Sequence, residues 1–129
     1  CSVLDPGLTV FEQTERFNAS HLAEHELKSI LNRYLFPYET WDKPCFCLSG
    51  GEKIRLLFCC LMIGNNAPDV FILDEPTNNL DIQSVEIITA AIKSYRGTVL
   101  LISHDHYFVK EIKINRSIKL FDTGSVIKI

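Results

Sequence analysis

The apolar positions along the chain fall into runs of differing period. From about Ser20 to Phe36, Leu22, Leu27, Ile30, Leu31, Tyr34 and Leu35 recur near helical spacing, which predicts a helix with Ser20 as N-cap, a Glu24–Lys28 pair one turn apart, and Pro37 as the stop. A loop through Trp41 and Pro44 leads to Leu48, and Lys53 to Ile63 reads as a second, strongly apolar helix ended by Gly64-Asn65-Asn66. "DVFIL" and "TVLLIS" are short continuous apolar runs, the pattern of strands buried on both faces of a parallel sheet. Between them, Ile82 to Tyr95 is helical in period and closed by Gly97; Asp105 to Ile112 reads as a short helix. "SIKLF" and "SVIKI" alternate around Asp122-Thr123-Gly124 and predict a terminal hairpin. Asp5-Pro6-Gly7 marks a turn near the start.

This order, helices first and then strand, helix, strand, helix, predicts an α/β architecture. A helical part spans about 1–63, and a mostly parallel sheet with flanking helices and a C-terminal hairpin spans about 64–129. The 129 residues suffice for one domain or a large part of one, and the 47% apolar share supplies a core. A net charge of −3 argues against a domain that holds nucleic acid by charge alone. "IRLLFCCLMIG" is too short to span a bilayer and reads as a buried helix. No charged-then-apolar leader follows Cys1. Five cysteines, an odd count with one adjacent pair, do not form a disulfide framework and fit reduced thiols. Cys45 and Cys47 lack a second Cys/His pair at zinc spacing. "HLAEH" places His21 and His25 on one face of the predicted helix, a zinc-peptidase pattern, but without a downstream acidic ligand it reads as a solvated face.

Three segments carry candidate chemistry. In "CLSGGEKIR", Ser49, Gly50 and Gly51 stand directly before an apolar helix. A hydroxyl, glycines that admit a close backbone approach, and a helix N-terminus suit an anion. In "VFILDEPTNNLD", Asp74 and Glu75 end a buried strand, where ligands of open α/β sheets bind. One carboxylate there can serve a magnesium ion and the other can deprotonate an attacking water; the plainer reading is a strand-end cap before a Pro turn. His104 ends the second strand, and in a parallel pair it faces the same crevice as Glu75.

Together these segments resemble the ATP-binding-cassette ATPases. "LSGGE" looks like the signature motif, "VFILDE" like the Walker B strand with its catalytic glutamate, "NNLD" like the D-loop, and His104 like the switch histidine. Their spacing agrees, with roughly 25 residues from signature to Walker B and roughly 30 from there to the histidine. "LDEPTNNLD", "SHDHYF" and "GGEKIRL" are similar to the ABC-F branch, whereas transporters more often carry Ser-Ala near the D-loop. Asn79 stands where that branch usually has His, and His106 where it usually has Arg. No G-x-x-x-x-G-K-[ST] occurs, and Gln13 comes too late to be the Q-loop glutamine. The expectation is therefore a partial P-loop NTPase fold, the C-terminal part of one cassette.

The resemblance implies ATP and Mg2+ as cofactors and a second cassette as partner. Ser49, Gly50, Gly51 and Glu52 would close over an ATP held by the other cassette's Walker A loop. Asp81 would bridge the halves, Asp74 would hold magnesium through water, and Glu75 and His104 would be catalytic. It also implies a cytoplasmic protein without direct membrane insertion, an ATPase when complete but inactive as this chain alone, and a translation or ribosome-protection factor engaging the ribosome. The alternatives are the nucleotide-binding domain of a membrane transporter and, in a different class, a low-turnover nucleotide-dependent switch.

Overall fold

A computed structural model describes residues 3–64, 68–119 and 126–128. The chain divides into two compact units, Cys1–Ala67 and Pro68–Ile129.

The first unit is helical. Its opening helix, α1 (Val10–Arg16), does not follow from hydrophobic periodicity. It starts at a capping box in which Thr9 Oγ1 accepts from Glu12 N (3.2 Å) and Thr9 N donates to Glu12 Oε2 (2.8 Å). α2 (Glu24–Arg33) begins later than expected, at Ala23 rather than Ser20. Both groups of the Asn18 amide close on the backbone of Leu22, at 2.9 Å each, and His21 takes φ 53°. That loop uses residues 18–22, and Glu26 caps the helix by accepting from Ala23 N at 2.7 Å. His21 thus lies outside the helix that holds His25, and the zinc-peptidase geometry does not form. The Glu24–Lys28 ion pair does form. The helix ends before Pro37, because Leu35 adopts φ 62° and Phe36 N reaches back to Leu31 O at 2.9 Å. Two short 3-10 turns, Tyr38–Thr40 and Cys45–Cys47, lead to α3 (Gly50–Ile63).

α3 buries Leu56, Phe58, Cys59, Cys60 and Ile63. Most of these pack with Val10, Leu27, Leu31, Phe36, Cys45 and Leu48 in one core. Burial raises the Cys59 thiol to about 12 and pushes Cys60 up as well. Arg55 is the charged exception on this face. Its Nη1 donates to the Tyr34 and Leu35 carbonyls, at 3.0 Å each, and its guanidinium lies 5.1 Å from the Phe36 ring centroid. It thereby satisfies carbonyls that the end of α2 leaves open. α3 stops at Gly64, where a Cβ would sit 3.1 Å from Phe17 O. Asn65 and Asn66 lie outside the described residues.

The second unit is a β–α–β unit with a hairpin. β1 (Val70–Asp74) and β2 (Thr98–Ser103) are parallel, in register from Val70↔Thr98 to Asp74↔Ile102. They are joined through α4 (Ile82–Ser94). α5 (His106–Glu111) follows β2. β3 (Ser117–Lys119) and β4 (Val126–Lys128) pair antiparallel, and β4 lies against β2 in the order β1-β2-β4-β3. The predicted turn residues Asp122, Thr123 and Gly124 lie outside the described residues. The parallel part of the sheet is the β1–β2 pair, and the hairpin adds the antiparallel part. β1 departs from the expected two-sided burial. Val70 and Ile72 are 54% and 67% exposed, while Phe71 and Leu73 are half-buried. The alternation shows one covered face, on which Phe71 meets Tyr95 edge-on with centroids 4.9 Å apart. Ile88, Ala91, Ile92, Leu101 and Phe108 are buried. Among the described residues, no helix is long and apolar enough to cross a membrane.

Candidate functional site

The candidate residues lie in both units. In the first, Leu48 is buried and anchors the chain as it turns into α3. Ser49 is the N-cap: its Oγ accepts from Glu52 N at 3.2 Å, and its N–H donates to Glu52 Oε2 at 2.7 Å. This capping box uses the Ser49 and Glu52 amides and leaves the Gly50 and Gly51 amides, which have no acceptor within the helix. A Cβ built on Gly50 would meet nothing within 4 Å. The chain's own packing therefore does not require glycine there, and the space above the helix start is open. Ser49 and Gly50 are exposed, and Gly51 is half-buried. Two amides and the helix dipole thus face open space, beside a Ser49 hydroxyl whose proton must turn from Glu52 to reach a ligand. Donors of this kind fit phosphate oxygens.

Glu52 turns the other way. Besides the cap, its two oxygens lie 3.5 Å from Lys43 Nζ. Burial alone would raise this carboxyl. The hydrogen bonds to the Ser49 backbone and hydroxyl, with the Lys43 ammonium, outweigh burial and hold it below the usual carboxylate range. Glu52 shapes the loop and is already engaged within the chain.

In the second unit, the ends of β1 and β2 bring Glu75 and His104 together. Glu75 N extends the parallel ladder to Ile102 O at 2.8 Å, and Glu75 then takes φ 46°, which breaks the strand. Its Oε1 lies 2.6 Å from His104 Nδ1, while its Oε2 is buried without a hydrogen-bond partner. An ionised carboxylate only accepts, so Nδ1 carries the proton of this pair. His104 Nε2 then accepts from a water when the ring is neutral and donates to a phosphate oxygen when it is charged. The orphaned Oε2 is an unsatisfied acceptor, which marks the carboxylate as lacking a partner that a water or ligand would supply. Asp74 is the exposed last residue of β1. As a hard oxygen donor at a strand end it fits magnesium held through water; among the described residues, no cluster of His, Cys, Asp and Glu forms a closed metal site. Asp81 caps α4, accepting from Ser84 N at 2.7 Å.

Two residues that sequence reasoning did not single out join these loops. Thr77 Oγ1 donates to Asp105 Oδ2 at 3.3 Å, across 28 positions of sequence. Asp105 Oδ1 caps α5 by accepting from Phe108 N at 3.1 Å, and Asp105 N donates to the buried Ser103 Oγ at 3.1 Å. Each stands one or two residues from a predicted site residue, and Asp105 opens a short predicted helix; those were the only signals in the sequence.

The profile described as ABC transporter matches residues 2–78. ABC transporter F family member 2 of Arabidopsis thaliana is 46% identical over 99 residues, 77% of this chain and 14% of that protein. Member 5 of the same family and organism is 43% identical over 120 residues, 93% of this chain and 17% of that protein. The chain thus spans about a sixth of the length of these curated relatives. The solved dimeric, post-hydrolysis ATP-binding cassette MJ0796, bound to ADP and Pi, superposes with a TM-score of 0.62 at 23% identity, over 84% of this chain and 51% of that one. At that identity the likeness shows the fold.

Proposed function

The chain belongs to the ABC transporter family of ATPases, with F-family members as its curated relatives, and on that premise we propose that it contributes residues to the composite ATP-hydrolysing sites that two cassettes form. The observation that carries this reading is the Glu75 carboxylate, one oxygen on His104 and the other buried and unpartnered. In the proposed reaction the Glu75 carboxylate takes a proton from a water as the water's oxygen bonds to the γ-phosphorus. The bond from the γ-phosphorus to the β–γ bridging oxygen breaks, and ADP leaves with that oxygen. His104 Nε2 steadies the water or a γ-phosphate oxygen. Asp74 would hold magnesium, which would supply charge neutralisation at the phosphates.

Ser49 Oγ and the Gly50 and Gly51 amides bind the γ-phosphate of a nucleotide held on a second cassette. The lysine-bearing loop, absent from this sequence, comes from that cassette's Walker A. Asp81 would bridge the two cassettes. That MJ0796 is a dimer bound to ADP and Pi supports a partner cassette and this nucleotide. The kinship with F-family proteins extends the proposal to a cytoplasmic translation or ribosome-protection factor.

The test is Glu75→Gln in the complete protein. Turnover falls by about 10²–10⁴-fold, the range for losing a general base, and the ATP-bound closed state accumulates. Wild-type turnover by this variant refutes the assignment. Co-sedimentation of the ATP-locked variant with ribosomes tests the cellular role, and its failure to pellet with them counts against it.

A further inference from the structure

Thr77 and Asp105 are given no role in the proposed nucleotide contacts, yet they lie beside Glu75 and His104, the two residues proposed to do the chemistry. Three links tie the chain just after β1 to the end of β2 and the loop that follows it. Glu75 N meets Ile102 O at 2.8 Å, Glu75 Oε1 meets His104 Nδ1 at 2.6 Å, and Thr77 Oγ1 meets Asp105 Oδ2 at 3.3 Å. The first fixes the strands, and the second is the working pair itself. We propose that the third is a positioning pair, which sets the histidine loop against the glutamate loop and so fixes the Glu75–His104 contact.

The surroundings point the same way. His104 is exposed, and its backbone is held from both sides: Ser103 is fully buried, and Asp105 is tied at its amide and both carboxylate oxygens. Thr77 is 8% exposed and lies in a turn whose first residue is Glu75, closed by Asn78 N to Glu75 O at 3.2 Å. Glu75 itself sits in the left-handed region, φ 46°, which a non-glycine residue keeps only when its surroundings hold it. The cap on α5 uses Asp105 Oδ1 alone, so helix capping leaves Oδ2 unexplained. A tether to Thr77 explains it.

The inference rests on the reading of Glu75 as the general base, and the experiment separates the two. Steady-state ATP hydrolysis is measured on the complete protein carrying Thr77→Val, Thr77→Ser or Asp105→Ser, and on Thr77→Val combined with Glu75→Gln. Valine keeps the volume and removes the hydroxyl. Serine at 105 retains an N-cap but is too short to reach Thr77, so it tests the same link where Thr77→Val fails to fold. Thr77→Val and Asp105→Ser are each expected to lower kcat by about tenfold, the loss of one hydrogen bond to a charged group, with KM for ATP unchanged. Thr77→Ser restores kcat, and Thr77→Val adds no further loss once Glu75 is Gln. Wild-type kcat in Thr77→Val or Asp105→Ser, alongside an inactive Glu75→Gln, overturns the positioning pair alone. So does a Thr77→Val loss of equal factor in the Glu75→Gln background, which marks a role independent of Glu75. Full turnover by Glu75→Gln overturns the hydrolysis reading and this inference with it.

Discussion

Ser49 is assigned two tasks, and substitution can pull them apart. Its hydroxyl accepts from Glu52 N at 3.2 Å and so caps α3, and in the proposed site it donates to a phosphate. Replacing an N-cap serine by alanine costs about 1 kcal/mol, but by glycine only about a few tenths. In a cassette-sized domain the alanine loss lowers Tm by roughly 2–4 °C, and glycine barely moves it. The ligand task ranks the variants differently. Ser49→Ala and Ser49→Gly both lose the donor, and a hydrogen bond to a charged group is worth about 1.5–3 kcal/mol. If it is made fully only in the closed state, turnover falls roughly 10–100-fold in both. Ser49→Thr keeps the hydroxyl and loses little of either. The assay pairs thermal melting with steady-state ATP hydrolysis on the complete protein. The expected result is two variants of unequal stability and equal, low turnover. Near-wild-type turnover in Ser49→Gly would refute the reasoning and leave Ser49 a helix cap only.

Arg55→Met keeps the aliphatic stem but removes both bonds to the Tyr34 and Leu35 carbonyls, which share one nitrogen; a loss of about 2–4 kcal/mol is expected by denaturant unfolding, and unchanged stability would contradict the bridging role. Glu52 has a folded pKa below its unfolded value, so the unfolded state binds the proton first as pH falls. The stability that Glu52 contributes is complete above its unfolded pKa and is lost as pH drops through the lower folded value; the melting advantage of wild type over Glu52→Gln should shrink on acidification below pH 4.5, and an advantage that persists at low pH would contradict this account. Of the described cysteines, Cys47 is exposed while Cys45, Cys59 and Cys60 are buried, with burial raising all three buried thiols. Alkylation of the folded protein should therefore modify Cys47 well before those three, as read by peptide mass mapping.

The elements that the sequence predicted best carry both a period and punctuation. α3 runs to Ile63 before Gly64, and α4 lies between Asp81 and Gly97, close to where the apolar pattern and the breakers put them. Where a side chain competes locally with the backbone, periodicity misled. Asn18 takes the residues before α2 into a loop, so Ser20 does not cap it. α1 went unread because its seven residues span too few turns for a period, although Thr9-x-x-Glu12 states its start. Apolar content alone could not tell one covered face of β1 from two. The Glu75–His104 contact was legible because both residues directly follow parallel strands. The Thr77–Asp105 contact depends on side-chain reach between two turns, which no spacing rule encodes.

Glu75 and Asn79 both hold positive φ, 46° and 59°, within one turn. Asparagine tolerates that region well, while glutamate does so at a cost of about 1–2 kcal/mol. Glycine at 75 would relieve the strain and delete the carboxylate in one step. A variant library screened for heat resistance alone would be drawn toward that replacement. Under the proposed hydrolysis, position 75 is one where selection for durability and selection for turnover pull apart, and a search for hardier forms of this protein has to score both.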